Sequence, residues 1–239
     1  MTNEGAILFK RYRAILADLR NTHEAIRADL GSPGGSLRVT LPTIGYRFLL
    51  PILPEFRCRY PGIDLELDFN DRHVDLIEGG FDAAIRSGDL RDSSLMARRL
   101  GPFRFVVCGS PDYFRRKGRP LQPDDLRKHD ALRFRFPTSS KFQEWHLKDG
   151  INRLQDMAVA LTCSNMEAIR AAAIDGLGLA YMPDFLASDA IRDGLLETVL
   201  SENQAAPGHF SILWPSALFM TPRLRAFIDF AANKLFEEL

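Results

Sequence analysis

The hydrophobic positions change period several times after residue 35, and each change predicts an element. Leu37 to Leu41 form a β run. Phe48, Leu49, Ile52, Leu53 and Phe56 then fall on one face of a helix. Pro51 and Pro54 interrupt it, which predicts a kink or a late start. Leu65, Leu67 and Phe69 alternate as a half-buried strand, Val74 to Glu78 make a short helix closed by Gly79-Gly80, and Phe81 to Ile85 make another strand. Such alternation implies parallel strands joined by crossover helices. One long β segment from Met96 to Cys108 follows, ended by Gly109-Ser110-Pro111.

The second half carries β-like stretches at Ala131 to Phe136, Gln143 to Leu147 and Ala158 to Cys163. Ala168 to Asp175 then reads as a helix. Gly176 can take the left-handed conformation that stops it, and Gly178 allows a tight turn into the strand Leu179 to Met182. His209 to Trp214 and a helix from Pro222 to Phe236 have no obvious partners there and are assigned back to the first half. The chain is thus expected to cross twice between two α/β lobes, residues 36–108 with 209–239 and residues 109–208.

The first thirty residues follow another rule. Leu8, Tyr12, Ile15, Leu19, Thr22 and Ile26 recur at steps of four and three, a heptad seam with charges between its positions. Gly31-Ser32-Pro33-Gly34-Gly35-Ser36 breaks the helix and supplies a hinge. Residues 1–33 read as a long helix that either folds back on its own body or pairs with a second chain, and the hinge favours pairing.

Composition narrows the function classes. With 239 residues, 46% hydrophobic and 26% charged, the chain suits two lobes of ordinary size. Lys plus Arg and Asp plus Glu balance at 31 each, so no global basic field exists to hold nucleic acid. Cys58, Cys108 and Cys163 are odd in number and scattered, the usage of a reducing compartment. Without a signal-like start or a membrane-length apolar run, a cytoplasmic protein away from membranes is expected.

Catalytic patterns are lacking. There is no Gly-x-Ser-x-Gly elbow, phosphate loop, His-Glu-x-x-His or Cys-x-x-Cys, and the five histidines have no metal-ligand spacing. His129 and His146 are expected at the surface. Binding without catalysis, metal or cofactor is the better account. A helix N-terminus attracts anions through its unpaired N–H groups and partial charge. Thr43 and Asn165 stand where two helices are expected to begin, each able to cap its helix, touch a ligand, or do both. Tyr46, Phe134, Phe136 and Tyr181 could supply apolar walls, although Phe134 and Phe136 alternate with Arg133 and Arg135 and could be core.

The chain resembles the effector-binding part of a LysR-type transcriptional regulator over nearly its whole length. The resemblance rests on Gly35-Ser36-Leu37-Arg38-Val39, Leu50-Pro51, Phe56 to Ile63, and Leu76-Ile77-Glu78-Gly79-Gly80-Phe81-Asp82-Ala83-Ala84-Ile85-Arg86-Ser87-Gly88. Leu95 to Leu100, Pro111-Asp112-Tyr113 and Gly176 to Pro183 continue it in order. It implies two Rossmann-like lobes of the periplasmic-binding-protein type behind a linker helix, with the family's winged helix-turn-helix missing from the chain. DNA would be reached only through that missing domain. The resemblance further implies a small effector, anionic or aromatic, in the inter-lobe cleft, and a homodimer or homotetramer. Thr43-Ile44-Gly45-Tyr46, Arg86-Ser87-Gly88 and Asn165-Met166 would line the cleft, with Arg86 clamping a carboxylate or pairing with a nearby acid. A periplasmic-type solute-binding protein is the alternative with the same architecture.

Overall fold

A computed structural model describes residues 33–72, 74–88, 94–216 and 220–235, together with Gly5 and Tyr12. Apart from Gly5, Tyr12 and Pro33, the expected linker helix over residues 1–33 lies outside the described residues. The remainder divides into two units, one from residues 1–101 with 209–239 and the other from 102–208.

The first unit is built on a five-stranded sheet. Its strands are β1 (Gly35–Leu41), β2 (Ile63–Phe69), β3 (Ala83–Ser87), β4 (Leu95–Phe103) and β10 (Gly208–Pro215), in the order β2-β1-β3-β10-β4. β1 runs parallel to β2 and β3, and β10 is antiparallel to β3. The interrupted helix exists as three pieces: α1 (Tyr46–Leu49), a 3-10 turn over Leu50–Ile52 at Pro51, and α2 (Leu53–Arg59) with Pro54 in its first turn. Proline lacks the N–H that a continuous helix would need there. A short helix, α3 (Leu76–Gly79), is capped by Asp75, whose carboxylate accepts from Ile77 and Glu78 N–H. The last helix, α7 (Pro222–Lys234), packs Phe227 and Phe230 against Phe56, with ring centroids 5.5 and 5.2 Å apart. Leu37, Val39, Leu41, Leu49, Phe56, Ile212 and Phe227 are buried there. Each such side chain contributes about 1.5–3 kcal/mol when taken from water.

The second unit repeats the plan. Its strands are β5 (Phe105–Gly109), β6 (Asp130–Phe134), β7 (Ala158–Cys163), β8 (Leu179–Pro183) and β9 (Glu197–Val199), ordered β7-β6-β8-β5-β9. Three parallel strands are again followed by an antiparallel one, β5 against β8. Helices α4 (Pro111–Lys117), α5 (Met166–Ile174) and α6 (Asp184–Arg192) accompany it.

Two expectations about this part change. The segment Met96 to Cys108 is not one strand but two, separated at Arg104. β5 pairs with β8 and β9 of the second unit, so the division falls between residues 101 and 102 and not between 108 and 109. Among the described residues the run from Gln143 to Leu147 makes only isolated bridges, His146 to Asn152 and Leu147 to Gln204, and no strand ladder. The glycine stop after α5 forms as expected. Gly176 adopts φ +74°, while Gly176 and Leu177 N–H donate to the carbonyls of Ala173 and Ala172, a Schellman closure. At Gly178 a Cβ would stand 2.6 Å from the Asp130 carbonyl oxygen, so only glycine fits beside β6.

Candidate functional site

In the first unit the expected residues gather at the carboxyl ends of the parallel strands, the edge where open α/β sheets bind ligands. Thr40, fully buried near the end of β1, is the register partner of Asp68 on β2. Its hydroxyl accepts from Arg86 Nη2 at 2.9 Å and donates to Asp68 Oδ2 at 3.3 Å. Arg86, on β3, also donates from Nη1 to its neighbour's Ile85 carbonyl at 2.9 Å. Burial pushes its guanidinium below the usual range, while the charges of Asp71 and then Asp68 oppose that shift. Arg86 thus bonds to Thr40 with the charges of Asp71 and Asp68 close by, which is compatible with both of the roles left open for it.

Thr43 departs from expectation. The turn Thr43–Gly45 is 3-10, its N-cap is Pro42, and no side chain caps it. Thr43 instead gives both its N–H and its hydroxyl to Asp71, at 2.9 and 2.5 Å. A carboxylate of the protein already stands where an anionic ligand was expected. Ile44 is half-buried and Gly45 buried, where a Cβ would meet the Leu41 side chain at 2.8 Å. Tyr46 lies edge-on to Phe69 at 6.4 Å, with Arg47 over its face at 5.4 Å. Ser87 and Gly88 are exposed at the end of β3, Gly88 with φ +103°.

In the second unit Asn165 caps α5, its side-chain oxygen accepting from Ala168 N–H at 3.0 Å, and is itself exposed. Met166 behind it is buried. Phe134 ends β6 opposite Cys163, buried, and meets the exposed Phe136 edge-on at 5.2 Å. Tyr181 does not serve as a wall. Its ring stacks on Phe105 and Trp145 at 4.9 and 5.6 Å, and its hydroxyl donates to the His146 carbonyl at 2.7 Å. Only 5% of it is exposed, and burial pushes its phenol up to about 12. His129 is likewise not at the surface. It is buried beside Tyr113, with Nδ1 3.3 Å from the phenol oxygen, and burial holds its pKa below the ordinary value.

Sequence reasoning passed over Thr40, Asp68, Asp71 and Gln143. Thr40 is a polar residue in an apolar strand and Asp68 and Asp71 flank the end of β2, signals visible only once the strand ends are known. Gln143 is buried, and neither of its side-chain amide atoms has a hydrogen-bond partner among the described residues.

Residues 30–235 match the family described as the LysR substrate binding domain. The chain is 33% identical over 238 residues to the transcriptional regulator CrgA of Neisseria meningitidis serogroup C, covering 98% of this chain and 79% of that protein. The chain belongs to the LysR-type regulators. Another relative is a helix-turn-helix-type transcriptional regulator of Xanthomonas campestris, 31% identical, with 98% of this chain and 70% of that protein covered. Among solved structures, CrgA of Neisseria meningitidis, a LysR-type transcriptional regulator, superposes with a TM-score of 0.77 at 30% identity, covering 99% of this chain and 80% of that one. Full-length AphB, the Vibrio cholerae virulence activator, gives 0.73 at 27% identity, covering 98% and 80%. The two α/β units described above are thus the regulatory fold of that family. Among the described residues, no helix is long and apolar enough to cross a membrane.

Proposed function

We propose that this chain is the effector-sensing part of a cytoplasmic LysR-type regulator. It binds a small metabolite at the carboxyl ends of its parallel strands and acts on transcription through a DNA-binding domain of the kind its relatives' names denote. It works as a homo-oligomer and binds its effector without transforming it. The observation that carries this reading is the repetition of one arrangement. Each sheet gathers polar groups and a helical turn at the carboxyl ends of its parallel strands, Thr40, Thr43 and Arg86 in one unit, and Asn165, close to the end of β7, in the other.

The charge of the two edges differs, which refines the ligand. Arg86 faces two carboxylates, Asp68 and Asp71, and Asp71 takes the donors of Thr43. An acidic ligand group is therefore better placed at the start of α5 than at the Thr43 turn. An aromatic body would lie against the exposed Phe136 in the same unit. The test joins this chain to the DNA-binding domain of CrgA and follows a reporter while metabolites are supplied. Arg86→Met and Asn165→Ala should each abolish the response of a folded protein to an inducing metabolite. A response unchanged in both variants would remove the site from this reading.

A further inference from the structure

Residues 142–147 run in extended alternation. Phe142 and Glu144 are exposed, while Gln143, Trp145 and Leu147 are buried at 6, 1 and 3% exposure. Trp145 and Leu147 belong to the apolar core of the second unit with Tyr181 and Val107. Gln143 therefore occupies a position whose pattern calls for an apolar side chain. Its Oε1 and Nε2 are both buried without a hydrogen-bond partner among the described residues. Nearby, Asn152 Oδ1 accepts from Trp145 N–H at 3.0 Å and the Tyr181 hydroxyl donates to the His146 carbonyl, and at Arg153, where Nε is without a partner among the described residues, both Nη atoms are paired, whereas Gln143 has neither amide atom matched. An amide buried with neither donor nor acceptor used is unfavourable, and a residue of similar size such as Leu or Met would avoid it.

Gln143 is also placed at the ligand-binding edge. Its backbone N–H donates to the Phe134 carbonyl at 3.0 Å, and the Arg135 N–H donates to the Cys163 carbonyl at 2.8 Å. Phe134 and Cys163 are the last residues of β6 and β7, and Cys163 is two residues before the α5 cap. Gln143 thus joins the carboxyl ends of the parallel strands, where open α/β sheets take their ligands.

Resting on the proposed effector site, we infer that Gln143 is a specificity-determining residue that pairs with a neutral carboxamide-like edge of the effector: a carboxamide, lactam or ureido group. Such an edge carries an N–H beside a C=O, so Oε1 accepts from the first and Nε2 donates to the second. A carboxylate would satisfy Nε2 alone and set its second oxygen against Oε1. The anion and the amide edge are separate recognition points, the first at α5 and the second at Gln143.

Benzamide and benzoate share a ring and differ only in this group, so both are titrated into the wild-type chain and into Gln143→Leu and Gln143→Met. Binding is followed by the backbone resonances of Phe134 and Asn165. In both variants benzamide should bind about tenfold or more weakly, equivalent to a total of about 1.4 kcal/mol or more, while benzoate is unchanged. Without ligand, both variants should melt at or above the wild-type temperature. Equal benzamide affinity in all three proteins overturns the inference, as does a large loss of stability in both variants, which would mark a structural amide. Binding of benzoate without benzamide refutes the role of Gln143 and leaves the effector site standing. If neither probe moves the resonances at millimolar concentration, the site and this inference fall together.

Discussion

Asp71 decides whether the Thr43 turn is open to an anion, and replacing it by Asn tests this with little change in shape. The carboxylate receives the Thr43 N–H at 2.9 Å and the Thr43 hydroxyl at 2.5 Å, and its charge supports that of Arg86. Asn keeps one accepting oxygen, while its NH2 can still be met if the Thr43 hydroxyl turns to accept. The loss is then that of charge on two hydrogen bonds at a half-buried site, about 1–2 kcal/mol. For a chain of this size that corresponds to a fall in Tm of about 2–8 °C. The variant also removes the internal anion, so added sulfate should stabilise Asp71→Asn more than the wild type, because no carboxylate then repels it from the Thr43 turn. Calorimetric melts of both proteins with and without sulfate at constant ionic strength provide the comparison. An unchanged Tm, or an identical sulfate response, would refute the claim that Asp71 occupies this position.

Three further outcomes follow from particular contacts. Gly178→Ala should lower stability by about 3 kcal/mol or more, read from denaturant unfolding, because the new Cβ meets the Asp130 carbonyl at 2.6 Å and backbone must move. A normal midpoint would contradict that geometry. Tyr181→Phe should cost about 1–2 kcal/mol by leaving the His146 carbonyl unmatched while keeping both ring stacks. A neutral result would mean that the carbonyl finds another donor. His129 is held neutral by burial, its pKa below 6.5, so below that pH the unfolded chain binds a proton that the folded chain resists. Stability from this group is complete above pH 6.5 and declines as pH falls through the window beneath it. His129→Gln should flatten the Tm-against-pH curve there, and an unaltered slope would exclude His129 as its source.

The alternation of Leu65, Leu67 and Phe69, the proline-broken helix and the glycine stop at Gly176 made the strand and helix order legible, because each is a local rule of backbone or periodicity. The first-unit sheet was legible for a second reason, since the run from His209 to Trp214 lacked a partner nearby. The break at Arg104 was not, since Phe103 and Phe105 continue the same apolar run and only pairing with β8 and β9 assigns β5. The helix Pro111–Lys117 was not legible, since Gly109-Ser110-Pro111 reads only as a strand end, although Ser110 caps the helix by accepting from Tyr113 N–H and Pro111 stands in its first turn. The site was legible only in outline. Arg86 could be named from the family resemblance and Asn165 from its place at an expected helix start, but Thr40, the partner of Arg86, and Asp68 beyond it arrive through sheet register. Tyr181 and His129 were misplaced for one reason: a polar group on an aromatic ring says nothing of burial when a backbone carbonyl or a second hydroxyl is available to meet it.

The central claim is that the carboxyl ends of the parallel strands form an effector site. Its most direct test is a map of backbone amide shifts across the whole chain on addition of a metabolite that induces the reporter fusion. The account predicts that the perturbed amides cluster at 40–46, 68–71 and 86–88 in one unit and at 134–143 and 163–168 in the other. Shifts confined to the opposite strand ends or to a single unit would contradict it.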